Sequence, residues 1–212
     1  MKVTLATLGL ACLISFGAAA QQTSESTNEA RSSMRLGRMT VSAFQEINAK
    51  GTQMVNAIRP SSGTLSAADL ALLQQVAMGG MRQLAISQAV LGKATNEQVR
   101  LLAQSEVEEQ TNVAAKLKEI AAAKGASLPD APDAATTALV ARINNASAEE
   151  VNMLYLQEGG INGHMLLQET MKTVNRNAAD DDLEDLAEAT LPVIKTHLKV
   201  SRKVQKAMPS AR

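Results

Sequence analysis

Cysteine occurs once in this chain of 212 residues, at Cys12. No disulfide can form within one molecule, and loss of the N-terminal segment that carries Cys12 would leave no thiol chemistry at all. Tryptophan is absent, and the aromatic residues are Phe16, Phe44 and Tyr155. The core must therefore be filled with Ala, Leu, Val, Ile and Met, side chains that suit close helix packing and favour helix formation. No segment shows sustained period-two alternation rich in branched and aromatic residues, which argues against a sheet. Excess charge of either sign is also missing, with 21 basic residues against 21 acidic. That balance lacks the clustered basic surface nucleic acid requires. Beyond the first twenty residues no apolar run approaches the ~20 residues of a membrane span. A strand followed by a phosphate loop ending in Lys-Ser/Thr is not found, nor is any recognisable serine-nucleophile arrangement. The reading is of no catalytic residue and no organic cofactor.

What is present begins with Lys2, an apolar run over residues 3–16 and the small-residue exit Ala18-Ala19-Ala20. This pattern reads as a secretory signal peptide cleaved before Gln21, placing the mature protein in the periplasm. Lipidation at Cys12 is the competing reading, although Gly9 stands where such a signal wants a branched aliphatic residue. The expected organisation is a signal peptide (1–20), a flexible polar lead (21–36), an N-terminal helical segment and loop (37–62), and a helical domain (63–208).

Helix signals follow in order. A first amphipathic segment spans about 39–58, weakened by Gly51, and ends at the turn chemistry of Arg59-Pro60-Ser61-Ser62-Gly63. Ser66 with Asp69 opens a helix that runs to Gly92, and a second runs from Asn96 to Gly125. Pro129 and Pro132 mark a connector, followed by a short helix over about 134–144. Ser147 with Glu150 forms a capping box for a third long helix, expected to break at Asn175-Arg176-Asn177. The fourth starts in Asp180-Asp181-Asp182 and ends among Lys199, Arg202, Lys203 and Lys206, the charge order that the helix dipole favours. Pro192 should kink it. Four long helices on short or modest connectors predict an all-α protein, an antiparallel four-helix bundle with an extra N-terminal helical segment.

Polar residues interrupt the apolar stripes of these helices. Glu106 and Gln110 lie in line with Val99, Ala103, Val113 and Leu117, while His197 lies in line with Val193, Val200 and Val204. His164 flanks a third stripe. Buried carboxylate and imidazole groups need partners, so Glu106, Gln110, Tyr155, His164 and His197 are candidates for a buried polar cluster. The alternative is a metal site using Glu106, Glu109, His164 and His197. Counting from a turn near Asn177, Tyr155 and His197 fall at similar heights and should hydrogen-bond, whereas His164 should miss His197 by ~10 Å. Met78, Met81, Met165 and Met171 with His164 raise the possibility of copper, but methionine at helical spacing more often fills a core. Glycines Gly79, Gly80, Gly159, Gly160 and Gly163 within helices suggest close backbone packing. The basic end of the fourth helix offers a membrane-surface contact. The remaining expectation is an unidentified protein partner or self-association.

The sequence Gly79-Gly80-Met81-Arg82-Gln83-Leu84, the run from Ala103 to Gln110, Leu128-Pro129, Tyr155, His164 and the element Leu191-Pro192-Val193-Ile194-Lys195-Thr196-His197 together resemble the exported bacterial DUF4142 proteins. The resemblance implies a ferritin-like four-helix bundle without an established activity. Gln83 stands where that family often has Glu, and Glu109-Gln110 where it often has Asp-His. Ferritin-type di-metal sites need Glu-x-x-His on two helices, yet Ile161 and Ile194 stand three residues before the two histidines. The expected role is non-catalytic: structural, interaction-based or tied to envelope stress. The alternative is metal-dependent redox or storage at a degenerate core site.

Overall fold

The computed structural model describes residues 34–208, so the expected signal peptide, Cys12 and most of the expected polar lead lie outside the described residues. The described chain is all-α apart from one small hairpin. Strands β1 (Arg35–Leu36) and β2 (Met39–Thr40) pair antiparallel, turning at Gly37 with φ of +61°. Residues 35–36 fall within the segment expected to be a flexible lead, and residues 37–40 within the helical segment. Two ladder residues per strand leave almost no periodicity to read.

Helix α1 (Val41–Ala57) is capped by Thr40, whose side chain accepts from the Ala43 N–H. Ser66 caps α2 (Ala67–Leu91) and Asn96 caps α3 (Glu97–Ala123) in the same way, satisfying backbone donors that a helix start leaves orphaned. Short α4 (Ala134–Asn145) follows, capped by Asp133. The Ser147–Glu150 capping box opens α5 (Ala148–Tyr155). A π-helical stretch (Leu156–Gly163) then leads without a break into α6 (His164–Asn177). Asp180 caps α7 (Asp181–Ala207), which continues as α-helix through Pro192.

One boundary differs from the sequence reading in a way that matters. Asn175, Arg176 and Asn177 remain helical, and the chain turns at Ala178, Ala179 and Asp180. Asp69 draws the turn onto α2, its carboxylate accepting from the Ala179 N–H at 2.9 Å.

The helices α2 and α3 pack on one another, as do α6 and α7; α2 also meets α6, α7 meets α3, and α1 lies across α3 and α7. Gly51 permits that last approach, because a Cβ there would collide with Val193 of α7. The apolar interior forms two clusters. One includes Leu73, Val76, Val113, Ile120, Leu167 and Leu186; the other includes Phe44, Ile86, Val99, Tyr155 and Val204. Along α2, α3, the α5–α6 rod and α7, a polar side chain sits where one cluster gives way to the other.

Candidate metal centre in the helical core

Glu106 on α3 is the hub of that polar level and is completely buried. Its Oε2 lies 2.8 Å from His164 Nε2 and 3.0 Å from His197 Nδ1. Oε1 accepts from the Gln110 amide at 3.0 Å and the Gln83 amide at 3.4 Å. The carboxylate on α3 is thus tied to α2, α6 and α7 as well as to its own next turn.

Each imidazole is also held on its outer side. His164 Nδ1 donates to the Gly159 carbonyl at 2.9 Å. Those residues are five apart, the spacing of the π ladder, and the wide turn aims this carbonyl at the ring. Gln83 donates to the same carbonyl at 3.1 Å. A Cβ at Gly163 would collide with the amide end of Gln83, so glycine there leaves that amide its place beside the Gly159 carbonyl. His197 Nε2 faces Asn48 Oδ1 of α1 at 2.9 Å, with Glu109 Oε2 at 3.6 Å. Phe44 covers the His197 ring at 4.7 Å between centroids.

The electrostatics follow from this packing. Burial would raise the Glu106 carboxyl, but the charge of His164 and hydrogen bonds from both histidines outweigh it, leaving the group well below the usual carboxylate range. Burial pulls His164 down, and the charge and hydrogen bond of Glu106 more than reverse it. For His197 burial prevails and its affinity for a proton falls. Glu109 moves well above the ordinary range, through burial and then the negative charge of Glu106. Glu106 and His164 thus each favour the other's charged form.

Two sequence expectations are corrected here. The two histidines do not miss one another: their ring centroids are 5.2 Å apart. The true pivot of the hairpin is Ala179, and measured from there they differ by about three residues, ~4.5 Å of helix rise. Tyr155 differs from His197 by about six, ~9 Å, and among the described residues makes no hydrogen bond to it. Its ring packs in the second apolar cluster beside Gly159 and Ile86, and burial, reinforced by the Glu106 charge, pushes its phenol up. Met165 and Met171 lie in different surroundings. Met171 is buried in the first apolar cluster, whereas Met165 is exposed. Lys199, Arg202, Lys203 and Lys206 lie on the solvated face of α7.

The sequence reading left Asn48 out of the site. It shares a helical stripe with Phe44, Gly51 and Val55, all buried, so a polar residue in an apolar row was the available signal. Gln83 stands out as a departure from a family pattern and as a polar neighbour of Leu84 on the helix. The Gly159 carbonyl had no side-chain signal, but three glycines just before His164 marked an irregular turn.

Among the described residues, Glu106, His164 and His197 are the group of His, Cys, Asp or Glu side chains whose ligand atoms come close enough to hold a metal ion. These features define an all-α protein with a buried His₂Glu level in its core. A family model described as Domain of unknown function (DUF4142) matches residues 55–204, and the chain belongs to that family. The matched stretch contains every residue of the cluster except Asn48. No curated protein and no solved structure matches the chain.

Proposed function

We propose that this is an exported, non-catalytic protein of ferritin-like topology that serves a structural or interaction role in the bacterial envelope. The order of the two apolar clusters along the chain supports the topology. It reverses between α2 and α3 and between α6 and α7, but repeats between α3 and the α5–α6 rod. The stretch containing α4 is then the single long crossover that distinguishes ferritin-like bundles from simple up-and-down ones. Lys2, the apolar residues 3–16 and Ala18-Ala19-Ala20 support export. No helix among the described residues is long and apolar enough to cross a membrane.

One observation carries the non-catalytic reading: the core cluster has no room for an organic substrate. The voids bordering it, lined by Glu109 and Gln110 or by Asn48 and Glu109, measure about 10 Å³ each. That is space for one water, against the several hundred cubic ångströms of a small-molecule pocket. The larger cavity, about 570 Å³, is a surface groove between α1 and α3 that reaches Asn48 and Glu109 but is lined by none of Glu106, His164 and His197.

Fractionation of bacteria making the full chain should recover the protein in the periplasm with Gln21 as its N-terminus. Cytoplasmic protein with an intact leader would overturn the export reading. A panel of ester, phosphate and glycoside substrates should give no turnover that depends on Glu106. Activity abolished by Glu106→Gln in a folded variant would overturn the non-catalytic one.

A further inference from the structure

We propose that Glu106, His164 and His197 bind a single divalent first-row transition-metal ion between them. The inference deepens the reading of the core as a closed cluster: that space excludes organic molecules but accommodates an ion.

Donor and acceptor accounting comes first. The outer nitrogen of each ring faces an oxygen that accepts, Gly159 O for His164 and Asn48 Oδ1 for His197. Those bonds hold each ring with its inner nitrogen, His164 Nε2 or His197 Nδ1, turned toward Glu106 Oε2. Once the protons shared between them leave, all three atoms bring lone pairs to one point, and a cation bound there takes the protons' place. Metal-ligating histidines are held in this manner, with the far N–H given to a carbonyl or carboxylate. Glu109, beside the outer nitrogen of His197, repeats the carboxylate–histidine arrangement, and its Oε2 is buried without a hydrogen-bond partner.

Geometry and charge agree. The ligand atoms all lie within 4.8 Å of one another. An ion bound at ~2.0–2.2 Å sets its ligands about 3.3–3.6 Å apart in tetrahedral geometry, roughly half an ångström wider than the observed 2.8 and 3.0 Å. Glu106 brings one negative charge to the ion, and Glu109 places a second carboxyl group beside the outer nitrogen of His197. Two imidazoles and a carboxylate suit zinc, iron, cobalt or nickel.

The chain also argues for one ion rather than the pair typical of ferritin-like carboxylate sites. Glu106 Oε1, which would bridge to a second ion, is occupied by the amides of Gln83 and Gln110. A carboxamide brings no charge to a second centre. Each member sits on a different helix or turn of the core, so one bound ion would join α3, α6 and α7 at a single point.

The test uses the chelator-treated mature chain titrated with Zn²⁺ alone by calorimetry, and with Co²⁺ followed by its visible d–d absorption. One ion per chain is expected in both, with a four- or five-coordinate cobalt spectrum. His164→Ala and His197→Ala should weaken Zn²⁺ binding at least 100-fold, with circular dichroism confirming the helices. Asn48→Ala touches the ion only through His197 and should weaken binding 10- to 100-fold without unfolding the chain. No binding to the wild type, two ions per chain, or equal affinity in wild type, histidine variants and Asn48→Ala would each overturn the proposal. Periplasmic recovery and the substrate panel are scored without added metal, so failure here leaves the proposed function standing or falling separately.

Discussion

Glu106 has no contact with water, and its charge is balanced by groups from helices distant in sequence. Removing one partner of a buried ion pair strands the other, at a cost of about 3–5 kcal/mol. Glu106→Ala removes the one carboxylate that His164 and His197 share and leaves both rings buried without their common partner, so chemical denaturation should register a loss of that size. A change under about 1 kcal/mol would mean that water reaches the cluster. At this scale the chain is partly legible. Polar residues at stripe positions pointed to Glu106, Gln110 and His197 because side-chain direction on a helix follows from spacing alone. His164 was harder, since its ring is aimed by the π stretch before it, and a π turn shifts every later side chain relative to a 3.6-residue repeat.

Helix boundaries depend on capping chemistry, and here the sequence is most informative. Ser66, Asn96, Ser147 and Asp180 each occur as N-caps in the structure, because a short polar side chain before an apolar stripe has few better uses than the orphan N–H groups. Helix ends were less legible. Asn175 and Asn177 have the composition of a break, yet the helix passes through them. The tertiary bond from Ala179 to Asp69 decides where the chain turns, and no local pattern encodes it. The helix most exposed to a capping defect is α3, which holds three members of the polar level. The Asn96 side chain accepts from the backbone N–H groups of Gln98 and Val99, while the Asn96 backbone N–H donates to Asn152 Oδ1. Asn96→Ala should therefore cost about 1 kcal/mol, measurable as a lower denaturation midpoint with an unchanged slope.

Three remote parts of the molecule meet at Lys124, just past the end of α3. Its ammonium group bonds Asp180 and Asp182 at the start of α7 and the Ser61 hydroxyl from the α1–α2 connection. Burial pushes the Asp182 carboxyl up, but hydrogen bonds from Lys124 and Ser61 outweigh it and hold it below the usual 3.8. A carboxyl with a lowered folded value contributes stability that is complete above about pH 4 and is lost as pH falls through that lower value. Lys124 is held above 10.5, since bonds to Asp180 and then Asp182 exceed the opposing effect of burial. Its contribution is complete below that pH and lost in stronger alkali. Asp182→Asn should thus flatten both limbs of the stability–pH curve, as followed by thermal melts from pH 2 to 11. An unchanged acid limb would assign acid unfolding to other carboxyls.

Glu106, Glu109 and Gln110 occupy one turn of α3, whereas α1, α2, α6 and α7 each supply one side chain to the same level. Tolerance to inserted residues is therefore unequal along the gene. One extra codon between Asn96 and Glu106 rotates that turn by about 100° and carries all three groups off the axis together. The same insertion early in α2 misplaces Gln83 alone. A library of single-residue insertions, scored by soluble yield, should show its deepest depletion across the first half of α3.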